Sequence, residues 1–298
     1  MPKLYILLVV FWAAFNAAFS FAAGVEVKDD LHRTVKLSQP AQRIISLAPH
    51  NTEILFAVGA GSKVVGVVQY SDYPEAAATI PRIGGYDKIN LEKVMTLKPD
   101  LIVAWHSGND ARAIQRLEKL GFPVYYSEPR SLMDIAENMT KLATLSGLAQ
   151  QGKSLEEAFV ERLQTLKSKN QNQLPLTIYY EVWQNPRYTL GGSHFTREIF
   201  NTCGAVNIFA DVSEKAPIVS LEAIITRNPD VILTGDRHGE QTLSQLRNQW
   251  NKWPQINAVK QQNIYYVNAD IYTRSSPRAL DAAEHLCGLL SKVREQNK

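Results

Sequence analysis

The chain has 298 residues, of which 45% are apolar and 20% charged, and it carries a net charge of +3. These values describe a folded protein of one large or two ordinary domains, and they exclude a disordered or collagen-like chain. The small charge excludes a sequence-blind nucleic-acid binder, and two cysteines are too few for a disulfide scaffold or a four-cysteine zinc site.

Residues 1–22 read as a leader. Lys3 supplies a basic start, residues 4–15 are almost wholly apolar, and Ser20-Phe21-Ala22 places small side chains where a signal peptidase needs them. Cleavage after Ala22 is expected, with an uncleaved anchor as the alternative. No cysteine adjoins the cleavage point to carry a lipid. The mature chain is therefore expected in the periplasm of a Gram-negative cell. That compartment is oxidising, so Cys203 and Cys287 are expected to pair, the alternative being two buried free thiols.

Residues 25–37 alternate in polarity around Asp29-Asp30 and predict a β-hairpin. Residues 43–47 predict a first strand. Asn51-Thr52-Glu53 opens a helix that runs to Gly59, and residues 64–68 form the next strand. Residues 90–105, NLEKVMTLKPDLIVAW, are echoed by residues 220–235, SLEAIITRNPDVILTG. Each copy begins with a good N-cap, Asn90 or Ser220, and places a glutamate, Glu92 or Glu222, in the first turn. Each then stops its helix at Pro-Asp and enters an apolar run suited to a buried parallel strand. Two copies of a helix-turn-strand unit predict two similar α/β lobes.

Between the copies, residues 124–126 predict a strand, and Ser131 caps a helix to Ser146. Residues 148–171 form a long helix without proline, placed to connect the lobes. Beyond it come a strand at 177–182, a helix at 196–203, strands at 231–234 and 264–267, and a last helix opened by Pro277. The fold class is α/β: two lobes with parallel-rich sheets joined by one long rigid helix. The expected division is residues 23–147, 148–172 and 173–298.

Tyr70, Tyr73, Tyr86 and Trp105 fall at predicted strand ends of the first lobe, and Trp183, Tyr188 and Tyr272 at those of the second. Ligands of open α/β sheets sit beyond the carboxyl ends of strands, so aromatics on both lobes predict a cleft for a large flat ligand. His50, His106 and His194 lie near turns but lack any paired metal-ligand spacing, so no metal site is expected. Gly59-Ala60-Gly61 follows a helix and precedes a strand, the reverse of a dinucleotide loop. No phosphate-binding GxxxxGK[ST] and no GxSxG nucleophile turn is present, so neither an ATPase nor another enzyme is expected. Glu92 and Glu222 would occupy matching points of the two lobes. Such a pair suits docking on a two-fold partner, although helix-dipole stabilisation alone also accounts for each.

Several stretches carry a resemblance beyond these patterns. They are residues 42–49 (QRIISLAP), Asn51-Thr52-Glu53, residues 70–74 (YSDYP), Asn90-Leu91-Glu92, residues 98–105 (KPDLIVAW) and Ser276-Pro277-Arg278. The chain resembles the periplasmic binding proteins that serve ABC importers for cobalamin, iron-siderophores and haem. The resemblance covers nearly the whole mature chain and implies a monomeric carrier that makes and breaks no bond. Cobalamin or a related corrinoid would be cargo rather than cofactor; haem or a ferric siderophore is the alternative. Tyr70, Tyr86 and Trp105 would line the pocket from the first lobe. Trp183 and Asp270-Ile271-Tyr272-Thr273-Arg274 would line it from the second. Tyr86 and Ile271 stand where cobalamin-binding members carry tryptophan. The resemblance also implies that Glu92 and Glu222 engage arginines of an inner-membrane permease dimer served by ATPase subunits. It matches Cys203 and Cys287 to the disulfide positions of cobalamin binders.

Overall fold

In the computed structural model, which describes residues 24–236 and 243–296, the chain builds two α/β lobes in turn. The predicted leader lies outside the described residues. The hairpin comes first, as strands β1 (Val25–Lys28) and β2 (Thr34–Leu37), paired antiparallel. Its turn closes on Asp29, whose carboxylate accepts the backbone N–H of Leu31 and Arg33 and the Arg33 Nε–H.

The first lobe continues with β3 (Ile44–Ser46), α1 (Pro49–Ala57), β4 (Val64–Val67), α2 (Leu91–Leu97), β5 (Leu101–Trp105), α3 (Ala111–Lys119) and β6 (Val124–Ser127). The sheet order is β4-β3-β5-β6, all parallel. Helix α1 opens two residues earlier than expected, because Pro49 fits the first helical turn, where its missing N–H costs nothing. Asn51, Thr52 and Glu53 therefore lie buried inside the helix.

Helix α4 (Leu132–Leu145) starts at Ser131 with a full capping box, since Asp134 returns the bond to the cap backbone. The connector α5 (Ala149–Asn170) follows. The second lobe holds β7 (Leu176–Gln184), β8 (Arg187–Thr189), α6 (Thr196–Thr202), β9 (Ala205–Asn207), α7 (Leu221–Arg227), β10 (Val231–Asp236), α8 (Leu243–Trp250), α9 (Asn257–Lys260), β11 (Ile264–Asn268), α10 (Ala269–Thr273) and α11 (Ala279–Gln296). Its sheet runs β11-β10-β7-β8, with β9 also on β7, and only the β7–β8 pair is antiparallel. Pro277 and Arg278 form a turn ahead of the last helix rather than its first residues. The short α3, β8, β9, α8, α9 and α10 have no counterpart in the sequence reading.

The repeat has a common structural cause. Asn90 and Ser220 cap α2 and α7 by accepting the N–H groups of Lys93 and Ala223. Both helices stop at a left-handed residue, Lys98 (φ 46°) and Asn228 (φ 44°), just before the proline. The aspartate then ties the neighbouring strand. Asp100 accepts from the backbone N–H of Gln42 and Arg43, and Asp230 from both the N–H and hydroxyl of Thr177.

Strand residues alternate between two covered faces, as parallel sheets require. Ile44, Leu101 and Val103 face an inner layer, and Ile45, Ile102 and Ala104 an outer one. The inner layer continues through Phe159 and Leu163 of the connector to Ile178 and Val231 of the second lobe. Cys203 and Cys287 form a disulfide that joins the end of α6 to α11 across 84 residues.

Candidate ligand-binding cleft

Of the seven predicted aromatics, Trp105 and Trp183 stand near the carboxyl ends of β5 and β7 and Tyr70 lies three residues past β4, whereas Tyr188 sits within β8. Trp105 ends β5, with Tyr86 tilted against it at 5.8 Å between ring centres and His50 edge-on at 5.3 Å. Asn109 fixes this wall. Its side-chain oxygen accepts the Trp105 N–H, while its amide donates to the carbonyls of Leu47 and Tyr86. One buried amide thus pins the loops after β3, β4 and β5 together. Gly108 completes the seat, because a Cβ there would lie 1.9 Å from the Trp105 ring.

Tyr70 projects from a left-handed backbone (φ 64°) and is 58% exposed. Such a conformation costs a bulky residue roughly 1 kcal/mol or more. In the second lobe Trp183 stands 63% exposed near the end of β7, its indole N–H donating to the Asn185 carbonyl. Tyr73 turns elsewhere: its ring packs under the Arg278 guanidinium at 3.7 Å. With Phe56, Met139 and Phe159 it lines a cavity of about 400 Å³ against the connector, away from the strand-end aromatics.

Residues 270–274 divide. Asp270, Ile271 and Thr273 are half-buried, but Tyr272 is fully buried. Its ring stacks near Tyr180 and its hydroxyl meets His285 Nδ1 at 2.9 Å. This departs from the expected lining role, because one helical turn, α10, aims position 272 into the lobe's core. Arg274 departs too. Its guanidinium is buried against Glu53 (3.0 Å), Asp72 (2.9 Å) and Asp270 (3.1 Å), and Arg278 binds the same Glu53 carboxylate with two nitrogens. Arg274 is therefore a clamp between lobes rather than an open polar contact. A second crossing lies at Lys215, whose Nζ is 2.9 Å from Ser107 Oγ and 6.0 Å from the centre of the Trp105 ring.

The histidines do not converge. Burial lowers the pKa of His50 to about 4, with the Arg274 charge acting in the same direction against Glu128, and its Nε2 has no hydrogen-bond partner. Burial likewise lowers His194 to about 4, assisted by Lys215, and its Nδ1 accepts the Thr196 N–H. His106 is exposed, edge-on to Tyr126. Among the described residues no three His, Cys, Asp or Glu side chains gather as a metal site.

Glu92 and Glu222 are both exposed in the first turns of α2 and α7. Each helix runs antiparallel to the strand it feeds, so both glutamates lie toward the sheet edges that carry the aromatics. Local hydrogen bonding, first its own backbone N–H and then Ser220, lowers the Glu222 pKa.

Gly108, Asn109 and Lys215 received no role from the sequence, and Glu53 and Asp72 were read only as parts of motifs, not as partners of Arg274. Asn109 falls four residues after the strand-end Trp105, which is the nearest thing to a signal.

Two α/β lobes joined by one helix, with Trp105 and Trp183 near the carboxyl ends of a strand in each, have the architecture of a two-lobed binding protein. The periplasmic binding protein family model matches residues 44–271. The chain is 40% identical over 258 residues to the vitamin B12-binding protein of Vibrio cholerae serotype O1, covering 86% of this chain and 92% of that one. The Yersinia pestis vitamin B12-binding protein is 36% identical over 257 residues, 86% of this chain and 89% of that one. The solved periplasmic vitamin B12-binding protein of Vibrio cholerae superposes with a TM-score of 0.78 at 39% identity, over 85% of this chain and 98% of that one. A periplasmic haem-binding protein from Roseiflexus shares the fold at 22% identity and a TM-score of 0.74, over 85% and 99% of the two chains. The chain belongs to the periplasmic binding protein family.

Proposed function

We propose that this chain is the periplasmic carrier of an ABC importer and that its cleft takes cobalamin or a related corrinoid. One observation carries the reading: 40% identity to a vitamin B12-binding protein along nearly its whole length. The pinned wall of Tyr86 and Trp105 on one lobe, with Trp183 on the other, supports it, because aromatic faces suit a large macrocycle. Tyr70, Tyr86, Trp105 and Trp183 supply the apolar contacts, and Asp270, Ile271 and Thr273 the rim of the second lobe. Residues 1–22 direct export and are removed, leaving lobes at 23–147 and 173–298 around the connector at 148–172. Glu92 and Glu222, one per lobe, dock the carrier on arginines of the permease. No bond is made or broken, and the corrinoid is cargo.

Calorimetric titration of the mature protein with cyanocobalamin tests this. One-site binding at micromolar affinity or tighter is expected. No heat with cyanocobalamin, together with saturable binding of haem or a ferric siderophore, overturns the corrinoid assignment and keeps the carrier.

A further inference from the structure

Among the described residues, three basic side chains of the second lobe reach carboxylates of the first: Arg274, Arg278 and Lys215. The two arginines are spoken for. Each sits within 3.0 Å of a carboxylate oxygen, and both are largely buried. Arg187, also in the second lobe, is held by Glu181 at 2.6 Å. Lys215 differs in every respect. Its side chain is 52% exposed, its closest carboxylate oxygen (Glu128) is 3.7 Å away, and its short contact is to a neutral hydroxyl.

The backbone that carries Lys215 is fixed. Gly191 N–H donates to the Lys215 carbonyl and Gly192 N–H to the Val212 carbonyl. A Cβ on either glycine would come within 2.0 Å of a carbonyl oxygen of the 210–214 segment. A fixed base with a loosely held ammonium on a flexible stem is a movable charge at a defined place. That place is beside the face of Trp105, where the ligand's macrocycle would pack.

We propose that Lys215 is the charge-selecting residue of the cleft: when a ligand covers Trp105, its ammonium leaves Ser107 and binds an anionic group on that ligand. This rests on the corrinoid reading above. For a corrinoid the matching group is the phosphodiester of the nucleotide loop. Complete cobalamin is then favoured over cobinamide, which lacks that anion.

The test titrates cyanocobalamin and dicyanocobinamide into the wild-type mature protein, Lys215→Met and Lys215→Arg, at low and high salt. An exposed ion pair gives roughly a fivefold effect. Lys215→Met is expected to weaken cyanocobalamin about that much while moving dicyanocobinamide less than twofold, and Lys215→Arg to restore the preference. Added salt should narrow the preference in the wild type and leave Lys215→Met indifferent. Equal losses on both ligands assign Lys215 to packing and overturn the proposal, as does no loss on either. Wild-type protein that binds neither ligand refutes the corrinoid reading itself, a distinct outcome.

Discussion

Replacing Glu53 by Gln removes the charge at the junction of the lobes and keeps its shape. The Glu53 carboxylate accepts from Arg274 Nη1 at 3.0 Å and from Arg278 Nε and Nη2 at 2.8 and 2.6 Å. Taking one partner from a buried ion pair costs about 3–5 kcal/mol. The low end applies, because Arg274 keeps Asp72 and Asp270, and the Arg278 side chain is 18% exposed and reaches water. Glu53→Gln is therefore predicted to lower unfolding free energy by about 3 kcal/mol. Urea titration followed by tryptophan fluorescence and circular dichroism together measures it, with an unchanged slope showing that the transition is the same. Arg278→Met leaves Glu53 on Arg274 and should cost less, and the double variant should fall short of additivity by about 1 kcal/mol or more. A Glu53→Gln loss under about 1 kcal/mol, or strict additivity, refutes the clamp.

Gly108→Ala should displace the Trp105 ring and weaken ligand binding by roughly tenfold, about 1.4 kcal/mol, in calorimetry; unchanged affinity would show that Trp105 does not bear on the ligand. Glu92→Ala with Glu222→Ala should leave ligand affinity intact and abolish uptake in a reconstituted importer, and surviving uptake would remove the docking assignment. His50 holds a pKa of about 4 against an ordinary 6.5. The unfolded chain binds the extra proton between those values, so the stability present above pH 6.5 is lost as pH falls toward 4, at up to about 1.4 kcal/mol per unit. His50→Leu should therefore narrow the difference in unfolding free energy between pH 7 and pH 5 by about 2 kcal/mol, and an unaltered difference would refute it. Replacing Cys203 and Cys287 with serine opens an 84-residue loop. The chain-entropy model assigns that loop about 4.5 kcal/mol as an upper value, and a loss under about 1 kcal/mol in urea would show that the loop's unfolded ensemble is already compact.

Local signals account for what the sequence revealed. The Ser131 capping box, the Asn90 and Ser220 caps and the twin Pro-Asp steps each lie within a few residues, so they can be read without the fold. The position of Trp105 at the end of β5 was legible because strand ends are, whereas Tyr86 lies in the long loop after β4 and only the fold brings it to Trp105. Arg274 was not, because its partner Glu53 lies 221 residues away and its carboxylates come from three separate segments. A guanidinium near a predicted cleft looks the same in sequence whether it faces ligand or a buried glutamate. Tyr272 misled for a different reason: residues 269–273 form one turn of helix, and a single turn decides whether a ring points out or in. Asn109 carries only its nearness to Trp105 as a local mark, since its value lies in three backbone groups, two of them from distant loops.

The apolar layer that passes from Ile44 through Phe159 and Leu163 to Ile178 has no seam. Neither half of the chain is therefore autonomous, and a cut in the connector would leave raw apolar surface on both pieces. Fraying of one half would strip the other of its covering, so heat should melt the molecule in a single calorimetric event. That coupling denies any protease a half-opened substrate.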